Sequence, residues 1–247
     1  LSANIGLHYG FFNVRGKLYQ SPQPRVSMRY LINENSSLKL SYATMQQNIH
    51  LLTNSSFGLP NDMWVPSTES VTPQISNQFV LSYHRMFSDK GGLEKNSYET
   101  SIEIYYKTMK NLITFSEGTN LLGTNFSSWE ERIEENGLGT SQGVELFLKK
   151  KTGKLTGWIG YTLSETTRQF DNINLGNEYP YKFDRRHDLS VVSSYEIKEG
   201  LTLNATFVYG TGNAVTLPIA QYLLFSGDDI IQFFDYGEKN DFRMAPY

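Results

Sequence analysis

The feature that most constrains this chain is an alternation of apolar and polar residues with a period of two. In the segment ANIGLHYGFF, Ile5, Leu7, Tyr9 and Phe11 alternate with polar residues or glycine. Because successive side chains of a β-strand point to opposite faces, this pattern predicts a strand with one apolar face. The alternation recurs in residues 25–32, 38–43, 79–84, 101–107, 144–149, 155–164, 189–197 and 201–209. About ten strands are predicted, counting a last one that begins near Phe242, and no segment has convincing helical spacing.

The connections between these strands are sorted by length. The short ones are NENS, KTGK and KEG, and the long ones cover residues 13–24, 45–74, 109–140, 164–186 and 210–240. The connection 87–97 is intermediate and falls where a short one is due. Outer-membrane barrels combine short periplasmic turns with long extracellular loops, whereas a soluble β-protein has little reason to sort its loops in this way. The sequence therefore predicts an all-β fold, an antiparallel transmembrane β-barrel with its long loops outside the cell.

Tyrosines on the apolar faces support the same interpretation. If the short turns are periplasmic, Tyr30, Tyr83 and Tyr195 lie near the periplasmic interface, and Tyr42, Tyr106 and Tyr209 lie near the outer one. Tyrosine favours the headgroup region because its ring can sit in the apolar zone while its hydroxyl stays hydrated. These six residues are predicted to mark the membrane interfaces. The alternative is the ordinary preference of tyrosine for β-structure combined with core packing.

The opposite faces of the strands carry many charged and polar groups. They include Arg25, Arg29, Lys39, Glu103, Glu145, Glu196 and Asn204. Burying so many charges in a dry interior without partners would be costly. The pattern predicts a wide barrel whose lumen is hydrated or filled by a polar plug.

Composition and motifs exclude several other classes of function. The net charge of −3 leaves no basic surplus for nucleic acid, and the absence of cysteine removes disulfides and thiolate ligands. The four histidines have no metal-ligand spacing, so no metal or cofactor is predicted. The motif FDRRHDLS places Asp184 and His187 close together, but no nucleophile completes a triad, and a structural strand mouth is the preferred interpretation. No catalytic residue is predicted.

Aromatic and acidic residues in the long loops are the candidates for ligand binding, because loops on a rigid scaffold commonly carry recognition. The alternative is that these side chains pack the loops against one another. The candidates are Asn61, Asp62 and Trp64 in GLPNDMWVPSTESVTP, Phe126 and Trp129 in NFSSWEERIEEN, and Phe233, Phe234 and Tyr236 in IIQFFDYGEK.

Several motifs in order resemble one family. The segments PRVSMRYLINENSSLKLSYATMQQ, GVELFLKKKTGKLTGWIGYTLS, FDRRHDLSVVSSYEI and FRMAPY are similar to the C-terminal barrel of TonB-dependent outer-membrane receptors that carry an N-terminal carboxypeptidase-regulatory-like domain before the plug. The resemblance implies a 22-stranded barrel, of which residues 1–247 are a part, with the plug and the final strands outside this chain. It also implies an integral outer-membrane receptor that imports a scarce nutrient with energy from the TonB complex.

The resemblance implies outer-membrane lipid, the plug of the same protein and the TonB complex as partners, and it leaves a surface lipoprotein open as a further partner. Siderophores, cobalamin, glycans and peptides all remain open as ligands. Three alternatives also remain: a passive porin-like or structural barrel, an outer-membrane enzyme such as a barrel lipase or protease, and a soluble β-protein.

Overall fold

Nine long antiparallel strands form the main sheet of the chain. The structure is a computed structural model that describes residues 1–53, 62–88, 97–117, 128–226 and 229–247, with the backbone alone described at 224–226, 229–231 and 233. The strands are β1 Ser2–Val14, β2 Lys17–Asn33, β3 Ser36–Gln47, β4 Ile49–Leu52, β5 Met63–Pro66, β6 Gln74–Ser88, β7 Ser97–Phe115, β8 Ile133–Lys150, β9 Leu155–Gln169, β10 Tyr179–Pro180, β11 His187–Lys198, β12 Leu201–Gly210, β13 Ala214–Val215, β14 Pro218–Ser226, β15 Asp229–Tyr236 and β16 Phe242–Arg243. Two short 3₁₀ helices cover Trp129–Arg132 and Asn174–Gly176.

The strand order of the main sheet is that of an up-and-down meander. It runs β1-β2-β3-β6-β7-β8-β9-β11-β12, and the two-residue strand β10 pairs with β9 beside this path. Three two-stranded sheets, β4–β5, β13–β16 and β14–β15, stand apart from it. The predicted all-β antiparallel fold is thereby confirmed. The sheet is part of a barrel wall that is not closed among the described residues, because β1 and β12 each have one unpaired edge.

The alternating segments of the sequence coincide with the nine long strands, and the apolar face of the sheet is exposed. Ile5 is 80% exposed and Ile104 is 52% exposed, although both belong to regular strands. Monomeric soluble proteins rarely expose a continuous apolar surface of this extent. The described residues contain no helix that is long and apolar enough to cross a membrane.

Several predicted boundaries are wrong. Residues 109–115 and 133–140 belong to β7 and β8, and residues 164–169 belong to β9, although the sequence predicts loops there. Residues 13–24 do not form a long loop, since β1 and β2 continue to a two-residue turn at Arg15 and Gly16, where both residues have positive φ. Pro22 and Pro24 are tolerated there because β3 pairs with β2 only from Arg25 onward, which leaves this part of β2 with one free edge. The strand that begins at Phe242 exists, but its two residues pair with β13 and not with the main sheet.

The two ends of the main sheet differ in kind. We call the end with Glu34–Asn35, 151–154 and Glu199–Gly200 the turn end, and the end with residues 48–53, 62–73, 116–117, 128–132, 170–186 and 211–247 the loop end. Residues 89–96, between β6 and β7, lie outside the described residues. The buried hydrophobic side chains of the described residues all lie at or beside the loop end: Leu52, Val65, Val71, Leu112, Ile113, Phe115, Phe170, Ile173, Tyr179 and Ala214.

Candidate ligand-binding surface at the loop end

A small hydrophobic core holds the β4–β5 hairpin against the main sheet. It consists of Leu52, Val65 and Val71 packed on Ile113 and Phe115, the last residues of β7. Trp129 and Ile133, which lie just before and at the start of β8, also pack against this core. Isolated two-stranded hairpins are marginally stable in water, so this packing is what fixes β4–β5 in place.

A buried polar network lies beside this core. The His50 side chain is fully buried; its Nε2 is 2.9 Å from the Ser67 hydroxyl, and its Nδ1 is 2.9 Å from the Gln74 amide nitrogen. Burial lowers the pKa of His50 to about 4, because desolvation disfavours the charged imidazolium. Asn111 donates a further hydrogen bond of 2.9 Å to the carbonyl of Pro73. The hairpin is thus joined to β6 and β7 by polar as well as apolar contacts.

Contacts between loops extend across the whole loop end. Tyr19 donates to the carbonyl of Thr68 at 2.7 Å, which joins the β1–β2 hairpin to the segment after β5. The Lys182 ammonium lies 3.1 Å from the carboxylate of Asp62, the residue before β5. This contact joins the β4–β5 hairpin to the β9–β11 connection. Asn240 donates to the carbonyl of Pro180 at 2.9 Å, which brings in the segment after β15. The loops therefore form one continuous assembly, which we call the loop cap.

The motif FDRRHDLS provides a junction within the loop cap. Asp184, 2% exposed, is ion-paired with Arg243 and also accepts a 2.6 Å hydrogen bond from the backbone of Thr166. Arg186 binds Glu165 at 2.8 Å. His187, through Nδ1, is 2.8 Å from the Tyr161 hydroxyl. These contacts join the end of the β9–β11 connection and the start of β11 to β9 and to β16, in agreement with the structural interpretation of the motif.

The predicted ligand-binding residues occupy different environments. Trp64 is 63% exposed on β5, and Phe234 and Tyr236 are exposed on β15. Asp62 is engaged with Lys182, and Trp129 packs on the hydrophobic core, so these two contribute to holding the loop cap together. Asn61 and Phe126 lie outside the described residues, and for Phe233 only the backbone of β15 is described.

The β14–β15 hairpin carries exposed residues that the sequence analysis did not single out. Ile219, Tyr222 and Leu223 are all more than half exposed on β14. Cross-strand pairing places Tyr222 opposite Phe233 and Leu223 opposite Gln232, so the apolar residues of β14 lie on both faces of the hairpin. The adjacent leucines interrupt the alternation of apolar and polar residues in PIAQYLLF. A pattern with a single apolar face therefore does not identify this hairpin, which has apolar residues on both faces.

The lumen-facing side of the sheet presents like charges directly opposite each other. Arg29 pairs with Lys39 across β2 and β3, and Glu103 pairs with Glu145 across β7 and β8. The four residues share one row of the sheet, with Ser82 between the two pairs. Within the described residues, only Glu103 of these four forms an ion pair. Its partner is His84, at 3.7 Å. This row of the wall therefore has a cationic pair on β2 and β3 and an anionic pair on β7 and β8.

The six tyrosines predicted at the membrane interfaces lie on the outward face of the sheet. Tyr30, Tyr106, Tyr195 and Tyr209 are exposed, whereas Tyr42 and Tyr83 are half-buried. Their assignment to the interfaces stays a prediction.

The positions of Tyr30 and Tyr195 fit the tilt of strands in a membrane barrel. Following paired residues from strand to strand, the row that starts at Tyr30 on β2 ends at Leu189 on β11, six strands away. Tyr195 lies on β11 six residues beyond Leu189, in the direction of the turn end. With about 3.4 Å per residue and about 4.8 Å between strands, the line that joins the two tyrosines is inclined by about 35° to the row. Strands of outer-membrane barrels are tilted by about 35–45°, so one membrane interface can pass through both residues.

The described residues contain no group of three or more His, Cys, Asp or Glu side chains placed to hold a metal ion.

Comparisons with known proteins give one family. The model of the family described as "TonB dependent receptor-like, beta-barrel" matches residues 1–230, which is most of the chain. Neither the curated proteins nor the solved structures give a significant match. The matched range contains the nine long strands, the β4–β5 hairpin and the FDRRHDLS junction. This chain therefore belongs to the TonB-dependent receptor-like β-barrel family.

Proposed function

We propose that this chain forms part of the wall of an outer-membrane receptor that captures a scarce nutrient at its loop end and imports it with energy from the TonB complex. The family consists of transporters of the outer membrane and is not an enzyme family. One observation carries the proposal for this chain: the outward face is apolar along the middle of the strands, while the folded, hydrogen-bonded loops are concentrated at one end. A wall with a single elaborated mouth is suited to receiving a ligand from one side of a membrane.

The opposed like charges of the lumen face support a polypeptide plug as a partner. Like charges directly opposite each other in a sheet are destabilising unless other groups neutralise them. A plug of the same protein that presents acidic groups to Arg29 and Lys39, and basic groups to Glu103 and Glu145, would supply those counter-charges. An open, water-filled lumen would leave the repulsion screened only by solvent and salt.

The loop cap supports ligand capture at this end of the wall. Trp64, Phe234 and Tyr236 are the exposed aromatic candidates whose side chains are described, and the β4–β5 hairpin that carries Trp64 is held against the main sheet by the hydrophobic core. Exposed aromatic side chains supply large contact areas at low entropic cost, which suits recognition of apolar or ring-shaped groups. A surface lipoprotein remains a candidate partner for the same surface.

The experiment that tests the proposal is nutrient-limited growth of a strain that lacks the gene. Growth is compared on iron chelates, cobalamin, oligosaccharides and oligopeptides, each as the limiting source. We expect a growth defect on one source, restored by the complete gene. The same defect should follow deletion of TonB or collapse of the proton gradient, because active import needs both.

Two results would contradict the proposal. Uptake that persists without TonB, and that rises with concentration without saturating, would favour a passive porin-like barrel. A strain without any uptake defect, but with a weakened outer membrane, would favour a structural barrel.

A further inference from the structure

Two cations lie on the outward, apolar side of the sheet near the turn end. Arg85 follows Tyr83 by two residues on β6, and Lys150 follows Leu148 by two residues on β8, so both continue the outward-facing series of their strands. Between them runs β7, on which Thr100 pairs with Arg85 and Tyr98 pairs with Lys150. Taking about 4.8 Å per strand and about 3.4 Å per residue, the two Cα atoms are about 12 Å apart. Their long side chains can therefore reach one anionic group above β7.

A stacked aromatic pair lies between these cations. The rings of Phe87 and Tyr98 are 5.1 Å apart with an angle of 14° between their planes. Phe87, Tyr98 and Lys150 occupy one row of the sheet, and Arg85 and Thr100 occupy the next row toward the loop end. Phe87 is exposed, so the pair offers a flat apolar surface next to two positive charges.

The same site falls on the line through Tyr30 and Tyr195. That line descends by one residue per strand toward the turn end, since six residues are covered in six strands. It therefore crosses β6 two residues after Tyr83 and β8 four residues after Leu146, at Arg85 and Lys150. The two cations thus lie at the depth at which the apolar face meets the headgroup region.

Within the described residues, neither cation has an ion-pair partner. Glu34 and Glu99 line a surface cavity of about 460 Å³ at the turn end, to which Arg85 also contributes, but neither carboxylate forms an ion pair with Arg85. Glu99 is instead bound to Lys151 at 2.7 Å. No carboxylate of the described residues therefore neutralises the charge of Arg85 or Lys150.

We propose that Arg85 and Lys150 bind the phosphate of a membrane phospholipid at the turn end of the barrel, with Phe87 and Tyr98 packed against the apolar part of the same lipid. The proposal rests on the membrane location given under Proposed function, but not on TonB-coupled import. An arginine and a lysine suit a phosphate diester because guanidinium and ammonium groups donate charge-assisted hydrogen bonds. The aromatic pair suits a lipid because its rings face the zone where headgroup and acyl chain meet.

The test is a titration of the complete receptor, purified in mild detergent and delipidated, with phosphatidylglycerol, with bound lipid counted by native mass spectrometry. The test variant is Arg85→Gln/Lys150→Gln. The matched control is Arg29→Gln/Lys39→Gln, which removes the same charge from the lumen-facing side of the sheet. A further arm adds excess inorganic phosphate as a competitor. Folding of each variant is checked by its mobility in unheated gel electrophoresis.

We expect the test variant to retain phosphatidylglycerol at least roughly tenfold less well, since each basic residue near a membrane surface contributes substantially to binding of anionic lipid. The control should bind like the unsubstituted receptor. Equal lipid binding by test and control variants would overturn the proposal, and displacement of the lipid by inorganic phosphate would show a free-phosphate site instead. TonB-dependent uptake by a receptor whose lipid binding does not depend on Arg85 and Lys150 refutes only this inference, whereas lipid binding at these residues without TonB-dependent uptake refutes only the proposed function.

Discussion

At the residue scale, the loop cap depends on polar side chains that are buried with their partners in place. The side chain of His50 is fully buried and that of Asp184 is almost fully buried. Each of them has two polar partners. Buried polar groups cost free energy when they lose a partner, so such networks also fix one arrangement of the loops. The identity of these residues is therefore a matter of structure as much as of recognition.

The buried histidine predicts a pH dependence of the loop cap. The pKa of His50 is lowered to about 4 in the folded protein, whereas the unfolded chain has a pKa near 6.5. Above the unfolded value neither state binds the proton. As the pH falls from 6.5 to 4, the unfolded segment gains the proton first, so stability is lost over that window. Hydrogen exchange of the β4–β5 amides, corrected for its intrinsic pH dependence, should show decreasing protection between these values.

The control for this prediction is His50→Gln, which keeps hydrogen-bonding groups but does not titrate. Protection of β4–β5 in that variant should change little across the same pH window. If both proteins lost protection in parallel, another group would be responsible for the effect.

Sequence reasoning is least effective at this scale. Asp62 and Trp129 were chosen as ligand-binding candidates for their chemistry, but Asp62 is engaged with Lys182, 120 residues away, and Trp129 packs on Leu52 and its neighbours. No local pattern reveals such partners, because the contacts are made between loops that are distant in sequence. The sequence leaves open the alternative that these side chains pack the loops together, and the contacts of Asp62 and Trp129 fit that alternative. Their role in ligand binding stays a prediction.

At the element scale, the strands are longer than a membrane requires. A transmembrane strand needs about 9–11 residues. Strand β2 has 17 residues, β7 has 19 and β8 has 18, so each extends well beyond the hydrocarbon region. The additional residues of β7 and β8 carry Ile113, Phe115 and Ile133, on which the loop cap is built. The wall and the cap are thus parts of the same strands.

The difference between the two faces of a strand can be tested on β7. Ile104 lies six residues above Tyr98, which corresponds to about 15 Å of depth and places it near the middle of the bilayer. We expect Ile104→Lys to destabilise the barrel by roughly 2–4 kcal/mol, because the charge would face lipid. Ser101→Lys, on the lumen-facing side of the same strand, is the control and should be tolerated far better.

The measurement is the fraction of complete receptor that keeps the compact mobility of a folded barrel in unheated gels. If Ser101→Lys were as damaging as Ile104→Lys, the assignment of the two faces would be wrong.

The strands themselves were well predicted from the sequence, and their ends were not. Apolar and polar residues alternate where one face of a strand contacts lipid and the other faces a polar lumen. The alternation therefore marks the membrane-spanning part of each strand. Beyond that part both faces meet water or other loops, and the alternation fades although the ladder of hydrogen bonds continues. Residues 17–24 of β2 therefore looked like a loop in the sequence and are part of a strand in the structure.

At the scale of the whole molecule, the loop end and the turn end should lie on opposite sides of the membrane. The chain contains no cysteine, which allows a single cysteine to be introduced at a chosen site within it. Leu175 at the loop end is 97% exposed, and Glu199 occupies a two-residue turn at the other end. In intact cells, a maleimide that cannot cross the membrane should label Leu175→Cys and not Glu199→Cys. Both variants should react after the outer membrane is permeabilised.

Labelling of Glu199→Cys alone in intact cells would reverse the assigned orientation, and equal labelling of both would argue against a membrane-spanning wall. At this scale the sequence was most informative, because the sorting of loop lengths is a property of the whole chain. Alternation and sorting together predicted the class of fold, and the family match agrees with it.

The buried core at the loop end implies that two parts of this protein are stabilised in different solvents: the wall in lipid and the loop cap in water. Among the described residues, the outward face of the wall has no apolar partner, so its apolar surface gains nothing until lipid covers it. The clusters around Leu52 and Phe170 are closed by the chain itself and gain their free energy from water. Wall and cap therefore respond to different agents: detergent composition should govern the first, and temperature or denaturant the second. The mouth of the barrel can then loosen and close again while the wall remains intact in the bilayer.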